Sequence, residues 1–390
     1  MGPMAGPAEV ESLAAAARAS GRLGIDTEFM GEGRYQALLC LVQVVVERDG
    51  GVEVAVVDPL ASGLDPAPLA AVLADPAIEV VLHAARQDIA LLRREWRTEV
   101  RAIFDTQIAA GFAGLRAQMG YDALLTELLG LRLGKSASLT RWDQRPLSEE
   151  QLLYAREDVL HLLGATDALQ ARLGAQGRLE WAREECQALE EVSDERVPDA
   201  LFTRLPRVNG LDPRARAVAR ELVDWREQTA READRPATSI LQDAALVEIA
   251  KRRPQTTQAL EQIRGVGEAT MRRRGKSVVE AVIRGHVRAP IAAEPGGGAP
   301  PDARDAPLVA LAEALVRART LESGLAYELV ASRADLQRIV TFARTGGGEP
   351  DVRTLDGWRR ELVGDELLAL LGGRGAVGVQ DGAVRVTAGR

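Results

Sequence analysis

Along the first 175 residues the apolar positions change period repeatedly. Short runs rich in Val, Ile and Leu at 22–28, 37–46 and 52–57 predict strands. The last two are joined through Glu47-Arg48-Asp49-Gly50-Gly51, whose Asp-Gly pair predicts a tight hairpin. A helical spacing near 66–74 then leads into an apolar strand, 78–83, and an amphipathic helix near 85–96. A further strand over 101–106 precedes helices near 106–115 and 121–130. From Pro146 to about Leu169 the pattern predicts one long helix, with Ser148 as its N-cap and Glu149 and Glu150 in the electropositive first turn. Three antiparallel strands followed by strand–helix units predict an α/β fold, a mixed sheet flanked by helices.

Past a helix near 178–192 the pattern changes. Residues 196–214 read as an extended connector, and 213–285 carry only helical spacing, interrupted by the turn Gly265-Val266-Gly267. A Pro/Gly-rich stretch, 286–307, predicts a flexible linker, and a second helical region follows over about 306–371. The end of the chain predicts a short hairpin around Asp381-Gly382. A length of 390 residues exceeds one ordinary core. The expected organisation is an α/β domain over 1–195, two small all-α domains over 211–290 and 305–372, and a tail over 373–390.

Composition narrows the class. Hydrophobic residues make up 46% and charged residues 27%, as in globular proteins. No apolar stretch approaches the ~18 residues of a membrane span, and the N-terminus lacks the basic-then-apolar order of a secretory signal. A cytoplasmic protein with no membrane partner is expected. Cys40 and Cys186 are distant from each other, which argues for a reducing compartment rather than a disulfide framework. His83, His161 and His286 are too scattered for a zinc cluster, so any metal would be held by oxygen. The net charge of −8 conceals a gradient: residues 211–290 carry 16 basic and 11 acidic side chains, a net of +5 against −13 for the remainder. That division suits a phosphate-binding module beside a carboxylate-rich site; the simpler reading is a small helical domain with Arg-rich solvated faces. Only Lys135, Lys251 and Lys276 are lysines among 49 basic residues. This bias matches base composition in the genome, so single arginines are not read as chosen for phosphate.

Two acids, Asp26 and Glu28, interrupt the apolar run 22–46. Alternate strand residues share a face, so they stand about 6–7 Å apart, and two half-buried anions resist ionising unless a cation lies between them. Further acids could complete the set. Asp88 falls near the start of the helix after 78–83, and Asp158 shares a helical face with Tyr154. Asp105 stands at a strand end, where capping the next helix is the preferred role. A cluster of Asp26, Glu28, Asp88 and Asp158 would bind two Mg²⁺ or Mn²⁺ about 3.5–4 Å apart, suited to in-line attack on a phosphodiester, with Tyr154 orienting the water. Each piece alone has a plainer explanation. Asp-x-Glu is commonly a turn or edge-strand feature, Tyr-x-x-x-Asp a surface pair, and His83 a satisfied buried imidazole rather than a ligand or phosphate contact.

Order and context add to this. "DTEF" on the first strand, "HAARQD" at a helix start, "FDTQIAA" and "RPLSEEQLLYAREDV" together resemble the ribonuclease D family, in the DEDD exonuclease superfamily with the tyrosine variant of its third motif. The resemblance covers about residues 20–175. It implies a ribonuclease H-like fold, metal ligation by Asp26, Glu28, Asp88 and Asp158, and water positioning by Tyr154. It also implies 3′→5′ hydrolysis of RNA to nucleoside 5′-monophosphates, on tRNA precursors or other structured 3′ ends, with no obligate protein partner inferred. Phe29 and His83 occupy matching positions and would shape the seat of the terminal nucleotide. One departure is Arg141 before Trp142, where the family often has Asp; the resemblance therefore supports no substrate contact at 141, while the four acids are unaffected. Residues 211–290 resemble the HRDC domain, and 306–371 more weakly a second one. Gly265 and Gly267 would let backbone N–H groups at a helix start hold a phosphate, with Arg272 following on that helix; an ordinary turn with a solvated basic face weighs equally. Two other functions stay open: a 3′→5′ exodeoxyribonuclease, and a nucleic-acid-binding protein with a decayed nuclease. All five catalytic positions being filled argues against decay.

Overall fold

The computed structural model describes residues 4–134, 141–293 and 302–388. Five strands, β1 (Arg22–Met30), β2 (Leu38–Arg48), β3 (Gly51–Val57), β4 (Glu79–Leu82) and β5 (Ile103–Asp105), form one sheet in the order β3-β2-β1-β4-β5. The first three are antiparallel, and β4 and β5 run parallel to β1. The expected mixed sheet is present. Asp49 and Gly50 both adopt positive φ at the β2–β3 hairpin, 50° and 77°, as a primed turn requires. Asp381 and Gly382 repeat the arrangement between β6 (Gly375–Gln380) and β7 (Ala383–Ala388).

Helices α1 (Pro7–Ser20), α2 (Ala67–Leu73), α3 (Arg86–Trp96), α4 (Thr106–Phe112), α5 (Tyr121–Leu129), α6 (Glu149–Leu160), α7 (Leu162–Ala175) and α8 (Leu179–Gln187) surround the sheet. On one face Leu23, Ile25, Val44, Val46 and Val80 join Val10 and Leu13 of α1, Leu69 of α2 and Ile89 of α3 in the main core. On the other, Leu41 and Val56 meet Ala155 of α6, while Val45 and Val81 meet Val159 and Leu162. The helix predicted as continuous is broken at His161, whose φ of −104° and ψ of 4° are not helical. The break lets α6 cover β2 and β3 while α7 covers β1 and β4, following the sheet's twist. The strand predicted over 101–106 shrinks to three residues because the Asp105 side chain begins α4. Helix α1 has no counterpart in the sequence-based prediction; its buried stripe is Val10, Leu13, Ala14, Ala16 and Ala17, mostly small residues with a weak periodic signal.

Gly24 sets how closely α7 approaches. A Cβ there would lie 2.5 Å from Val45 Cγ1 and 3.1 Å from Leu162 Cδ2, so the absence of a side chain lets the helix seat on the strand that carries Asp26 and Glu28.

The second helical unit holds α9 (Pro198–Thr203), α10 (Pro213–Glu232), α11 (Ala237–Ile240), α12 (Asp243–Arg252), α13 (Thr257–Glu261) and α14 (Glu268–Val287). The connector read as extended thus contains α9, begun by Pro198 at a position where its missing N–H costs nothing. Tyr35, from the β1–β2 loop, is buried in this unit's core, and its hydroxyl donates to Glu227 Oε2 at 3.1 Å. The third unit comprises α15 (Asp305–Ser323), α16 (Tyr327–Val330), α17 (Arg333–Thr345), α18 (Gly357–Arg359) and α19 (Asp365–Leu371). It shares a core with the sheet domain. Trp358 meets Phe112 of α4 edge-on at 4.8 Å and stacks on Trp181 of α8 at 5.6 Å. The middle of the expected Pro/Gly linker, 294–301, and residues 135–140, Lys135 included, lie outside the described residues. Among the described residues no helix is long and apolar enough to cross a membrane.

Gly24→Ala is expected to lower the unfolding free energy by about 1–3 kcal/mol through overpacking. Urea denaturation checks this; an unchanged midpoint would mean that α7 does not depend on that close approach.

Candidate active site

Asp26 and Glu28 project from β1 on the face covered by α6 and α7, in line with Gly24. Next to them the β1–β2 ladder changes register: Glu28 pairs with Leu41 but Phe29 with Leu39, leaving Cys40 as a bulge. The carbonyl of Cys40 accepts from Arg145 Nη2 at 2.8 Å. Arg145 also grips the buried Asp58 through two bonds, Nε to Oδ2 at 2.7 Å and Nη2 to Oδ1 at 2.6 Å, and donates to the Trp142 carbonyl at 2.7 Å. These contacts pin the segment leading into α6. There Ser148 and Gln151 form a capping box that starts the helix at a fixed point. Asp158 and Tyr154 lie one turn apart on α6, and Tyr154 donates its hydroxyl hydrogen bond to Asp158.

Asp88 arrives from the opposite side of β1, in the first turn of α3. It is 7% exposed, and its Oδ1 accepts from Thr27 Oγ1 at 2.5 Å. The turn before it is held by Asp105. That carboxylate caps α4 by accepting from Gln107 and Ile108, as expected, and also accepts from the Ala84 and Ala85 backbone N–H groups at 3.1 and 2.8 Å. Ala84 sits at φ 57°, a left-handed conformation costly for a residue with a side chain. The bonds to Asp105 offset that cost and set where α3, and Asp88 with it, begins.

The four acids perturb one another. Burial pushes Asp26 well above the usual carboxylate range, and the charges of Asp88, Asp158 and Glu28 push it further. Glu28 is raised to about 8 by burial and by Asp158 and Asp88. Asp88 is raised to about 6, chiefly by burial, against the Thr27 hydrogen bond. Asp158 is also raised to about 6 by burial, against the hydrogen bond from Tyr154. Each of these shifts would be reversed by positive charge placed among them. The donors are all oxygen, as a hard divalent cation requires, and Asp26, Glu28, Asp88 and Asp158 fit such an ion on those grounds. Among the described residues no three acidic, His or Cys side chains stand close enough together, as placed, to hold a metal ion.

A cavity of about 400 Å³ adjoins one of the four acids, Asp158, and is lined also by Tyr121, Leu133, Tyr154 and Glu157 among others. Nothing in the sequence pattern singles out Tyr121. Its hydroxyl is buried, and that burial together with Asp158 and Asp26 raises its pKa. His83 lies at the end of β4 with Nδ1 2.9 Å from Thr106 Oγ1 and its ring 5.4 Å from that of Tyr121. Burial lowers the pKa of its imidazole. Phe29, beyond the bulge, packs half-buried against the main core. Arg141, where an Asp was expected, turns onto Asp143 through two bonds at 2.9 and 2.8 Å. Gly265, Gly267 and Arg272 belong to the second helical unit and not to the acidic cluster. Gly265 has φ 95°, Gly267 is the N-cap of α14, and Arg272 is exposed.

The 3′-5′ exonuclease family matches residues 4–174, and the HRDC domain family matches residues 215–282. Ribonuclease D of Granulibacter bethesdensis is 38% identical over 372 residues, which cover 93% of this chain and 90% of the relative. Ribonuclease D of Gluconacetobacter diazotrophicus is 39% identical over 373 residues, covering 93% and 91%. The chain belongs to the ribonuclease D family. The crystal structure of Escherichia coli RNase D, described as an exoribonuclease involved in structured RNA processing, superposes with a TM-score of 0.81 at 28% identity, covering 95% of this chain and 98% of that one. As a member of this family the chain is a 3′→5′ exoribonuclease, and the family generally depends on divalent metal. The exonuclease match contains all four acids and Tyr154; the HRDC match contains Gly265, Gly267 and Arg272.

The raised acids make a prediction about metal-free protein. Between the ordinary carboxylate range and about pH 8 the folded state holds protons that the unfolded state has lost, so stability falls as pH rises through that window. His83, with its lowered pKa, works in the opposite direction as one group against four. Thermal melting in EDTA should therefore show Tm dropping from pH 5 to 8, less steeply in Glu28→Gln, with Mn²⁺ restoring most at pH 8. A flat or rising Tm would contradict the arrangement.

Proposed function

We propose that this chain trims RNA from its 3′ end one nucleotide at a time, releasing nucleoside 5′-monophosphates, with Asp26, Glu28, Asp88 and Asp158 holding two divalent ions, Mg²⁺ or Mn²⁺. The observation that carries this reading is the convergence of four mutually destabilised carboxylates from β1, α3 and α6, one of which, Asp158, lines a cavity. When bound, the ions supply Lewis acidity for attack by water on the last phosphodiester and for departure of the 3′ oxygen. Tyr154 holds Asp158 in place and, from the wall of the cavity, orients the attacking water. Water's oxygen gives up a proton to solvent and forms the new bond to phosphorus, the P–O3′ bond breaks, and the leaving O3′ takes up a proton from solvent, one water being consumed for each nucleotide released.

The cavity volume is within the range of small-ligand sites and suits a terminal nucleotide. Tyr121 and Tyr154 give it aromatic walls, and His83 acts there by packing on Tyr121. Phe29, next to Glu28 on β1, shapes the neighbouring edge. The natural substrates are structured RNAs such as tRNA precursors, a reading supported by the likeness to the E. coli enzyme. The unit over 211–290 holds the RNA body: exposed Arg272 and Arg273 follow the α14 N-terminus, where free N–H groups attract phosphate.

A gel time course on 5′-labelled RNA should show a ladder shortening by single nucleotides with Mg²⁺, absent with EDTA and in Asp26→Ala, and faster than on DNA of the same sequence. Intact RNA under every condition would overturn the proposal. Replacing Arg272 and Arg273 with Glu should weaken RNA binding and reduce its salt slope by roughly 1 for each phosphate left unneutralised, while the rate at saturating RNA is retained. Such point changes are cleaner than truncation, because removing the third unit would uncover Phe112 and Trp181.

A further inference from the structure

Strand β2 turns Leu41, Gln43 and Val45 toward α6 and α7. Leu41 packs with Ala155, and Val45 with Val159 and Leu162, so Gln43 lies beneath α6 between two apolar layers. It is 0% exposed, and neither Nε2 nor Oε1 has a hydrogen-bond partner. Its ladder neighbours are Asp26 on β1 and Val56 on β3. Directly opposed side chains of an antiparallel pair have Cβ atoms about 4.5–5.5 Å apart. The residue directly opposite Gln43 across the β1–β2 ladder is therefore Asp26.

A buried amide with no partner costs stability, and it is rare enough in folded proteins to require a reason. Leu or Met would fill the same space among Leu41, Val45, Val56, Ala155 and Val159 without that cost. The run Leu38-Leu39-Cys40-Leu41-Val42-Gln43-Val44-Val45-Val46 supplies apolar residues at every other position. An amide at 43 makes sense if its partner forms in another state of the site.

We infer that Gln43 is a positioning residue for Asp26. Its Nε2–H donates to the outer oxygen of the Asp26 carboxylate once the other oxygen turns to a divalent cation. A carboxylate that ligates a metal is itself usually held by a hydrogen bond, which fixes its orientation. Thr27 does this for Asp88 and Tyr154 for Asp158; Gln43 does it for Asp26. The inference rests on the reading of Asp26 as a metal ligand.

The test measures Mn²⁺ affinity of the full chain without RNA, from the free-Mn²⁺ electron paramagnetic resonance signal, alongside thermal melting in EDTA. Gln43→Leu should melt at or above the wild-type temperature, because it removes an unpaired buried amide, yet bind Mn²⁺ about 10–100-fold more weakly. Gln43→Met, unbranched and close in length, should behave alike and serves if Leu does not fold. A purely structural role would lower Tm and leave Mn²⁺ affinity unchanged, and that result overturns the inference. If wild-type protein binds no Mn²⁺, the metal reading itself fails and the inference falls with it; wild-type binding equalled by both variants sinks only the role of Gln43.

Discussion

Four carboxylates that would repel one another are held together in a half-buried site, and much of the α/β domain exists to keep them there. Without a cation their charges conflict, which is why burial and mutual repulsion lift Asp26 and Glu28 so far. Nothing within the cluster favours its own geometry. The constraint must be met by what surrounds it: Gly24 lowering α7 onto β1, Asp105 tying the turn before Asp88, and Arg145 pinning the segment that delivers Asp158.

These supports join distant parts of the chain. Arg145 reaches a bulge carbonyl at Cys40 and a carboxylate at Asp58, so the register of β1 against β2 and the start of α6 are fixed by one side chain. A bulge bends the strand that carries it and re-aims nearby side chains; here it lies next to Glu28. The third helical unit adds rigidity from behind, since Trp358 closes against α4 and α8, and α4 is the helix that Asp105 caps. The second unit is attached by polar contacts around Tyr35, whose hydroxyl meets Glu227 and whose ring lies beneath Arg196 and Arg231.

What the sequence made legible was local. Asp26 and Glu28 were visible because two acids in an apolar strand violate its pattern, and Tyr154 with Asp158 because four residues make one helical face. The Asp-Gly hairpins and the Ser148 cap were legible for the same reason: partner and signal lie within a few residues. Helix α1 was not, because its buried stripe is largely alanine. The break at His161 follows from sheet twist, which no short window contains. Tyr121, Gln43 and the Arg145–Asp58 pair were invisible because their meaning depends on partners from other elements, 87 residues away for Asp58. The core shared between the third unit and the sheet domain was hidden in the same way, since Trp358 reads as an ordinary aromatic in a helix.

The most direct test of the carboxylate site is anomalous scattering from crystals equilibrated with Mn²⁺. Two peaks about 3.5–4 Å apart, bounded by Asp26, Glu28, Asp88 and Asp158, are predicted. Mn²⁺ bound elsewhere on the chain, with no peak among these four side chains, would contradict the account.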